Sequence, residues 1–278
     1  MKECKSAKNT ANSQNSFTGI YAFLKEKFEV SGTYFSNKLF PELIKMDITD
    51  SNSVKKVIEN TKPDIIVHAA ANPNAVWCEE HKPEAIELNE TGTRNIVEAA
   101  NSINAKIIYI SSYAAVFNQS TVYGKTKFDG EKIVKKAKAG WAILQPSLII
   151  GYSPNTTNDR PFNRILKNIT EKTPAIHDTS WKFQPSWLDH ISETIEQIIK
   201  RKIYGETIPI AIPELKTRFD LAKDILNKFN IETKPIDKKD SSPVFDLPQD
   251  KIKELQLPIY SYKEMIDKIV KDIKEKTQ

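Results

Sequence analysis

The sequence is expected to fold as an α/β protein: a doubly wound parallel sheet with a small carboxyl-terminal lobe. Two observations predict this. Short apolar runs rich in Ile, Val and Ala alternate with longer segments of helical periodicity, the pattern of βαβ units. That alternation lapses after Pro146, where stretches rich in Pro, Asn and Thr separate the remaining helices. At 278 residues the chain can bury a large core.

Taken in order, a helix is expected over Phe17 to Lys27, followed by strands over Phe28 to Tyr34 and Leu43 to Met46. A helix over Ser51 to Asn60 begins on a capping serine, and a strand follows over Asp64 to Ala70. Lys82-Pro83-Glu84 opens a helix that runs to Asn101, since proline is tolerated in a first helical turn. Strands over Ala105 to Ser111, Ala142 to Ile150 and Thr207 to Ile212 complete the sheet, with a helix over Thr121 to Lys138 between the first two. Right-handed crossovers wind these units into a Rossmann-like core over residues 1–146. Residues 147–278 then finish the sheet and form a substrate lobe over its carboxyl edge. That lobe carries helices near Asn163 to Glu171, Trp187 to Lys200, Arg218 to Phe229 and Ser261 to Lys274.

Composition narrows the function classes. A net charge of +5 over 41 basic and 36 acidic residues is too balanced for a nucleic-acid protein, although scattered lysines favour anionic ligands. Two cysteines, Cys4 and Cys78, lie far apart without metal-ligand spacing, so neither a disulfide framework nor a metal site is expected. His68, His81, His177 and His190 share no metal spacing either. No run of 18 apolar residues and no leader-like apolar core occur, so the expectation is a cytoplasmic protein with no membrane partner.

The chemistry-bearing signal is Ile107-Ile108-Tyr109-Ile110 running into Ser111-Ser112, then Tyr123 and Lys127 at the start of a helix. A tyrosine and a lysine at i and i+4 share a helix face. The lysine's charge there would favour phenolate and draw the phenol pKa toward neutrality, making Tyr123 a usable general acid. With 36 lysines and nine tyrosines the spacing also arises by chance, at Tyr21/Lys25 and Tyr34/Lys38. Only Tyr123/Lys127 follows a strand that ends in serines.

These residues, with Asp47-Ile48-Thr49-Asp50, Pro63 to Ala71, Cys78-Glu79-Glu80, Asn89 to Thr93 and Gln145-Pro146-Ser147, resemble the extended short-chain dehydrogenases/reductases. Within them the likeness is to the dTDP-4-dehydrorhamnose reductase-like group. The resemblance implies catalytic roles for Tyr123, Lys127 and Ser112. Tyr113 competes with Ser112 for the hydroxyl position when counting from Val116-Phe117. It implies an NADP or NAD site formed by Ser13, Gln14, Ser16, Asp47, Ile48, Ala69, Ala70, Ala71, Asn89, Lys127 and Pro146. Asp47 would accept from the adenine amino group, or simply cap the following helix. Asn89 would help fix the lysine through backbone and water contacts, and Pro146 would back the nicotinamide. No carboxylate follows Thr33-Tyr34, while Ser36 and Lys38 lie nearby, which favours NADP.

Two departures stand out. The family's glycine-rich phosphate turn, where glycine lets the backbone reach the pyrophosphate, is here Thr10-Ala11-Asn12-Ser13-Gln14-Asn15-Ser16, and Lys2 to Asn9 is too polar for a central strand. Only Asn118 to Val122 separates Phe117 from Tyr123, where the family has a longer substrate-holding segment. The expected function is an NAD(P)H-dependent reductase of a 4-keto nucleotide sugar, in deoxysugar biosynthesis of the dTDP-rhamnose type, with a homodimer as a possible assembly. The alternatives are a non-catalytic binding or regulatory subunit on the same scaffold, and a nucleotide-sugar epimerase or dehydratase. A dehydratase would want an acid beside the hydroxyl, and Ser112 is followed by Tyr113-Ala114.

Overall fold

The computed structural model describes residues 5–7, 17–156 and 160–276. Its strands, in chain order, are β1 (Lys5–Ala7), β2 (Thr33–Tyr34), β3 (Ile44–Lys45), β4 (Ile65–His68), β5 (Lys106–Ile110), β6 (Trp141–Pro146), β7 (Ile149–Ile150), β8 (Ala175–Asp178), β9 (Lys182–Phe183), β10 (Ser186–Trp187), β11 (Glu206–Ile210), β12 (Lys216–Thr217) and β13 (Thr233–Ile236). Its α-helices are α1 (Phe17–Lys25), α2 (Ser51–Thr61), α3 (Ala75–Glu80), α4 (Lys82–Ile86), α5 (Gly92–Ser102), α6 (Ala114–Phe117), α7 (Val122–Val134), α8 (Pro161–Glu171), α9 (Leu188–Arg201), α10 (Arg218–Leu226), α11 (Asp250–Glu254) and α12 (Tyr262–Lys276).

The main sheet has the order β1-β4-β5-β6-β11, and every pairing is parallel. Parallel sheets need cover on both faces, and alternation along the strands supplies it. Ile66, Ile107, Tyr109 and Ile143 point into a core shared with Val54, Ile58, Ile96, Val97, Ile133 and Val134 of α2, α5 and α7. Ile65, Val67, Ile108, Ile110, Ala142 and Leu144 point the other way, against Ile20 and Leu24 of α1, Ile191, Ile195 and Ile198 of α9, and Ile252 of α11. A third core, built by α8, α10 and α12 around Phe162, Ile225 and Met265, belongs to the carboxyl-terminal lobe. β11 returns from beyond residue 147 to pair with β6, so that part of the chain completes the sheet as well as building the lobe.

Four expectations are revised. The polar amino-terminal stretch does supply a strand: Lys5–Ala7 pairs in parallel register with Ile66–His68, because backbone pairing to an apolar neighbour overrides local propensity. The strand expected over Phe28 to Tyr34 shrinks to two residues. The strand expected over Ala142 to Ile150 breaks at Ser147-Leu148, since Pro146 offers no N–H to continue a ladder, and Ile149–Ile150 pairs with β10 instead. The helix expected over Pro83 to Asn101 contains a π-helical turn at Glu87–Thr91, which sets Asn89 inward at 0% exposure. Among the described residues no helix is long and apolar enough to cross a membrane.

Candidate active site

The parallel ladder continues past the end of β5: Ser111 N–H donates to Leu144 O at 2.8 Å and Tyr113 N–H to Pro146 O at 2.8 Å. This fixes alternation beyond the strand. Ser111 turns inward to donate to Glu131 Oε1 at 2.5 Å. Ser112 turns to the carboxyl edge of the sheet, where its Oγ accepts from Ala114 N–H at 3.2 Å and starts α6.

A tight turn carries α6 into α7. Thr121 caps α7 by accepting from Gly124 N–H at 3.1 Å and donates its own hydroxyl to Asn118 O at 2.7 Å. Gly124 is required there, because a Cβ would sit 2.0 Å from Asn118 O. The short connection is thus a closed unit, tied to α3 by Val122 N–H donating to Glu79 Oε1 at 2.6 Å. It delivers Tyr123 and, one turn later, Lys127.

The cleft that results has a volume of about 290 Å³ and is lined by Ser112, Tyr123, Lys127, Ala69, Ala71 and Pro146 among others. Tyr123 and Ser112 line the same cleft, and burial pushes the Tyr123 phenol up to about 12 while Ser112 opposes the rise. The expectation that Lys127 would draw the Tyr123 pKa toward neutrality is therefore corrected. Lys127, 2% exposed, donates from Nζ to Ile110 O at 2.8 Å and lies 4.3 Å above the Tyr109 ring. Burial pushes its own pKa down to about 7, with Glu131 and Cys78 opposing.

Other expected positions separate. Ala69 and Ala71 line the cleft, whereas Ala70 turns into the core, the alternation of an extended chain. Asp47 accepts from Thr49 N–H at 2.9 Å and Thr49 Oγ1 at 2.7 Å, so its carboxylate shapes its own loop. Ile48 packs its side chain in the core at 1% exposure and accepts at its carbonyl from Asn95 Nδ2 at 2.8 Å. Asn89 accepts from Asn72 N–H at 2.9 Å and donates to Thr126 Oγ1 at 3.1 Å. It therefore ties the loop after β4 to α7 next to Lys127, with no direct bond to the lysine. Ser13, Gln14 and Ser16 lie outside the described residues. The chance pairs resolve as packing: Tyr21 and Lys25 both bind Glu42, and Lys38 covers the Tyr34 ring. His68, fully buried, pairs through Nε2 with Thr93 Oγ1 at 2.9 Å. Among the described residues no group of three His, Cys, Asp or Glu could hold a metal.

Replacing Asn89 with Ala should remove both links and leave the Asn72 amide unpaired. The expected cost is about 1–3 kcal/mol of stability, read from denaturant unfolding, with fitted turnover falling further than stability alone explains.

Sequence reasoning missed the wall opposite. The coil after β13 lies across the cleft: Trp181 Nε1 donates to Pro243 O at 3.1 Å, Tyr113 Oη to Asp246 O at 3.3 Å, and Leu247 N–H to Gln184 Oε1 at 2.5 Å. This sets Phe245 into the cleft, stacked on Phe117 at 4.7 Å. Only long-range packing places it, so no local pattern could have marked it. A second cavity of about 700 Å³ adjoins, sharing Pro73, Leu148 and Pro161, and carries Arg164, Arg218 and Lys238. Glu131 was also missed, although the row Tyr123, Lys127, Glu131 continues the same i+4 spacing.

The fold, the tyrosine and lysine on one helix and the serine at the strand end agree with one family, and the family profile described as RmlD substrate binding domain matches residues 20–250. The chain belongs to that family. The chain superposes on a dTDP-4-dehydrorhamnose reductase from Bacillus anthracis solved with NADP. The TM-score is 0.77 at 21% identity, over 98% of this chain and 100% of that one. Curated relatives include the methionine adenosyltransferase 2 subunit beta of Bos taurus, 24% identical over 221 residues, which are 73% of this chain and 66% of that protein's length. Another is a dTDP-4-dehydrorhamnose reductase of Aggregatibacter actinomycetemcomitans, 26% identical over 60% of each chain.

Proposed function

We propose that this RmlD-family chain is an NAD(P)H-dependent reductase of a 4-keto nucleotide sugar. The observation that carries the reading is the convergence of Ser112, Tyr123 and Lys127 in one cleft beside a cation-bearing cavity. Side-chain-poor Ala69 and Ala71 and the flat ring of Pro146 leave room for a nicotinamide-ribose unit. Lys127 has three N–H donors, and among the described residues only Ile110 O accepts from it. The remaining donors suit ribose hydroxyls, so the residues present fit the group. A bound nicotinamide would supply the hydride.

The protein's own groups manage the proton and the charge. Tyr123, protonated at neutral pH, donates its hydroxyl proton to the substrate carbonyl oxygen as that oxygen gains charge. Ser112 donates a hydrogen bond to the same oxygen, stabilising the developing alkoxide. A protonated Lys127 would hold the ribose, and solvent restores the Tyr123 proton after transfer. Phe245, Phe117 and Trp181 offer flat apolar surface for a sugar ring or a base, and Arg164, Arg218 and Lys238 place positive charge where a diphosphate would lie. Ser36 and Lys38, with no carboxylate after β2, favour NADPH over NADH.

The test is a cofactor-oxidation assay with dTDP-4-dehydrorhamnose and other 4-keto nucleotide sugars. NADPH consumption matched by the corresponding alcohol supports the reading. The absence of glycine from Thr10 to Ser16 and the relatedness to a subunit named beta favour a second reading, a binding scaffold. It predicts no cofactor consumption with any keto sugar and an unchanged fold when Tyr123 is replaced.

A further inference from the structure

Glu131 is 5% exposed and lies one helical turn beyond Lys127 on the same face of α7. Its Oε1 accepts from Ser111 Oγ at 2.5 Å and from Gln145 Nε2 at 2.9 Å. Both donors are neutral, and among the described residues no lysine or arginine nitrogen pairs with this carboxylate. A buried anion held only by neutral donors is costly unless a counter-charge lies near. The buried cation one turn away is Lys127.

The surroundings of Lys127 leave Glu131 as the deciding charge. From β5 come the Tyr109 ring and the Ile110 carbonyl. β4 contributes His68, whose imidazole burial pushes down to about 3 and so keeps neutral. From α3 comes Cys78, a thiol pushed up to about 11. On α7 itself Tyr123 keeps its proton at neutral pH. Glu131 is the carboxylate in this set.

We propose that Glu131 is a positioning residue, locked by Ser111 and Gln145 at the ends of β5 and β6, whose carboxylate keeps Lys127 in its ammonium form. Burial alone drives Lys127 toward the neutral amine, and the Glu131 charge opposes that drift. The catalytic consequence rests on the reductase reading: without the ammonium, the ribose has no charged partner. The protonation claim itself does not need that reading.

The experiment is a pH titration of isotopically labelled lysine side chains by NMR on the full chain, with Lys127 assigned by its loss in Lys127→Arg. The wild-type Lys127 midpoint should lie near neutrality. Glu131→Gln, which keeps the shape and can still accept from Ser111, should lower that midpoint by about one to two pH units. An unchanged midpoint would overturn the proposal and leave Glu131 a structural tie. Should Glu131→Gln fail to fold, Glu131→Asp retracts the carboxylate by one methylene. A smaller downward shift is then expected, and no shift overturns the proposal. If the wild type binds NADPH, Glu131→Gln should also bind it about tenfold more weakly at pH 7, with affinity recovering at lower pH. If it binds no cofactor, the reductase reading fails while the lysine titration still decides this one.

Discussion

Tyr123→Phe should lower the rate of keto-sugar reduction by about 10²–10⁴-fold while leaving cofactor affinity within a few-fold of wild type. The substitution removes the proton donor and keeps the ring that fills the cleft, so the loss belongs in kcat. The pH profile should separate this group from Lys127. Burial holds the Tyr123 phenol up at about 12, so the acid is present throughout the neutral range. Lys127 is held down at about 7, so its charge is present below that pH and lost as pH rises through it. The alkaline limb of the wild-type profile should therefore start near pH 7 and report the lysine. Stability should run the opposite way. The unfolded chain keeps Lys127 protonated up to its ordinary value, so between pH 7 and that value the unfolded state binds more protons and folding gains stability as pH rises. A wild-type profile flat from pH 6 to 9 would contradict the lysine assignment.

Gly124→Ala should be the most damaging single methyl group that can be added near the cleft. The new Cβ would lie 2.0 Å from Asn118 O and 2.9 Å from Ala114 O, both backbone atoms that cannot rotate aside. Either α6 moves away from α7 or the Thr121 cap opens, and both displace Tyr123. Overpacking of this kind costs about 1–3 kcal/mol, which for a chain of this size means a Tm lower by several degrees, of order 2–4 °C per kcal/mol. Turnover should fall by more than the unfolded fraction explains, because the tyrosine's approach to Ser112 is set by this turn. A variant with wild-type Tm and rate would show that the turn relaxes freely.

Much of the fold was legible because parallel strands buried on both faces leave unbroken apolar runs, as in Ile65 to Ala70 and Ile107 to Ile110. The candidate pair stood out through context, since only Tyr123/Lys127 of three equal spacings followed a strand ending in serines. Other features depend on contacts that no local window contains. Lys5–Ala7 is a strand only because β4 lies beside it. The π-helical turn that buries Asn89 sits inside a segment with ordinary helical periodicity. Phe245 reaches the cleft through a coil fastened by Trp181, Gln184 and Tyr113, residues 62 to 133 positions away. The direction of the Tyr123 pKa depends on such a contact too: sequence spacing places Lys127 beside the phenol, whereas the folded chain sends its ammonium to the Ile110 carbonyl.

The scaffold and reductase readings share the fold and part company at the cofactor. A glycine-free segment from Thr10 to Ser16 argues for weak pyrophosphate binding, while Lys127 with unused donors in a side-chain-poor cleft argues for a held ribose. The most direct measurement is calorimetric titration of the protein with NADPH and with NADH. Micromolar binding is expected, tighter for NADPH and weakened tenfold or more by Lys127→Ala. No heat of binding at millimolar concentration of either cofactor would contradict the reductase reading.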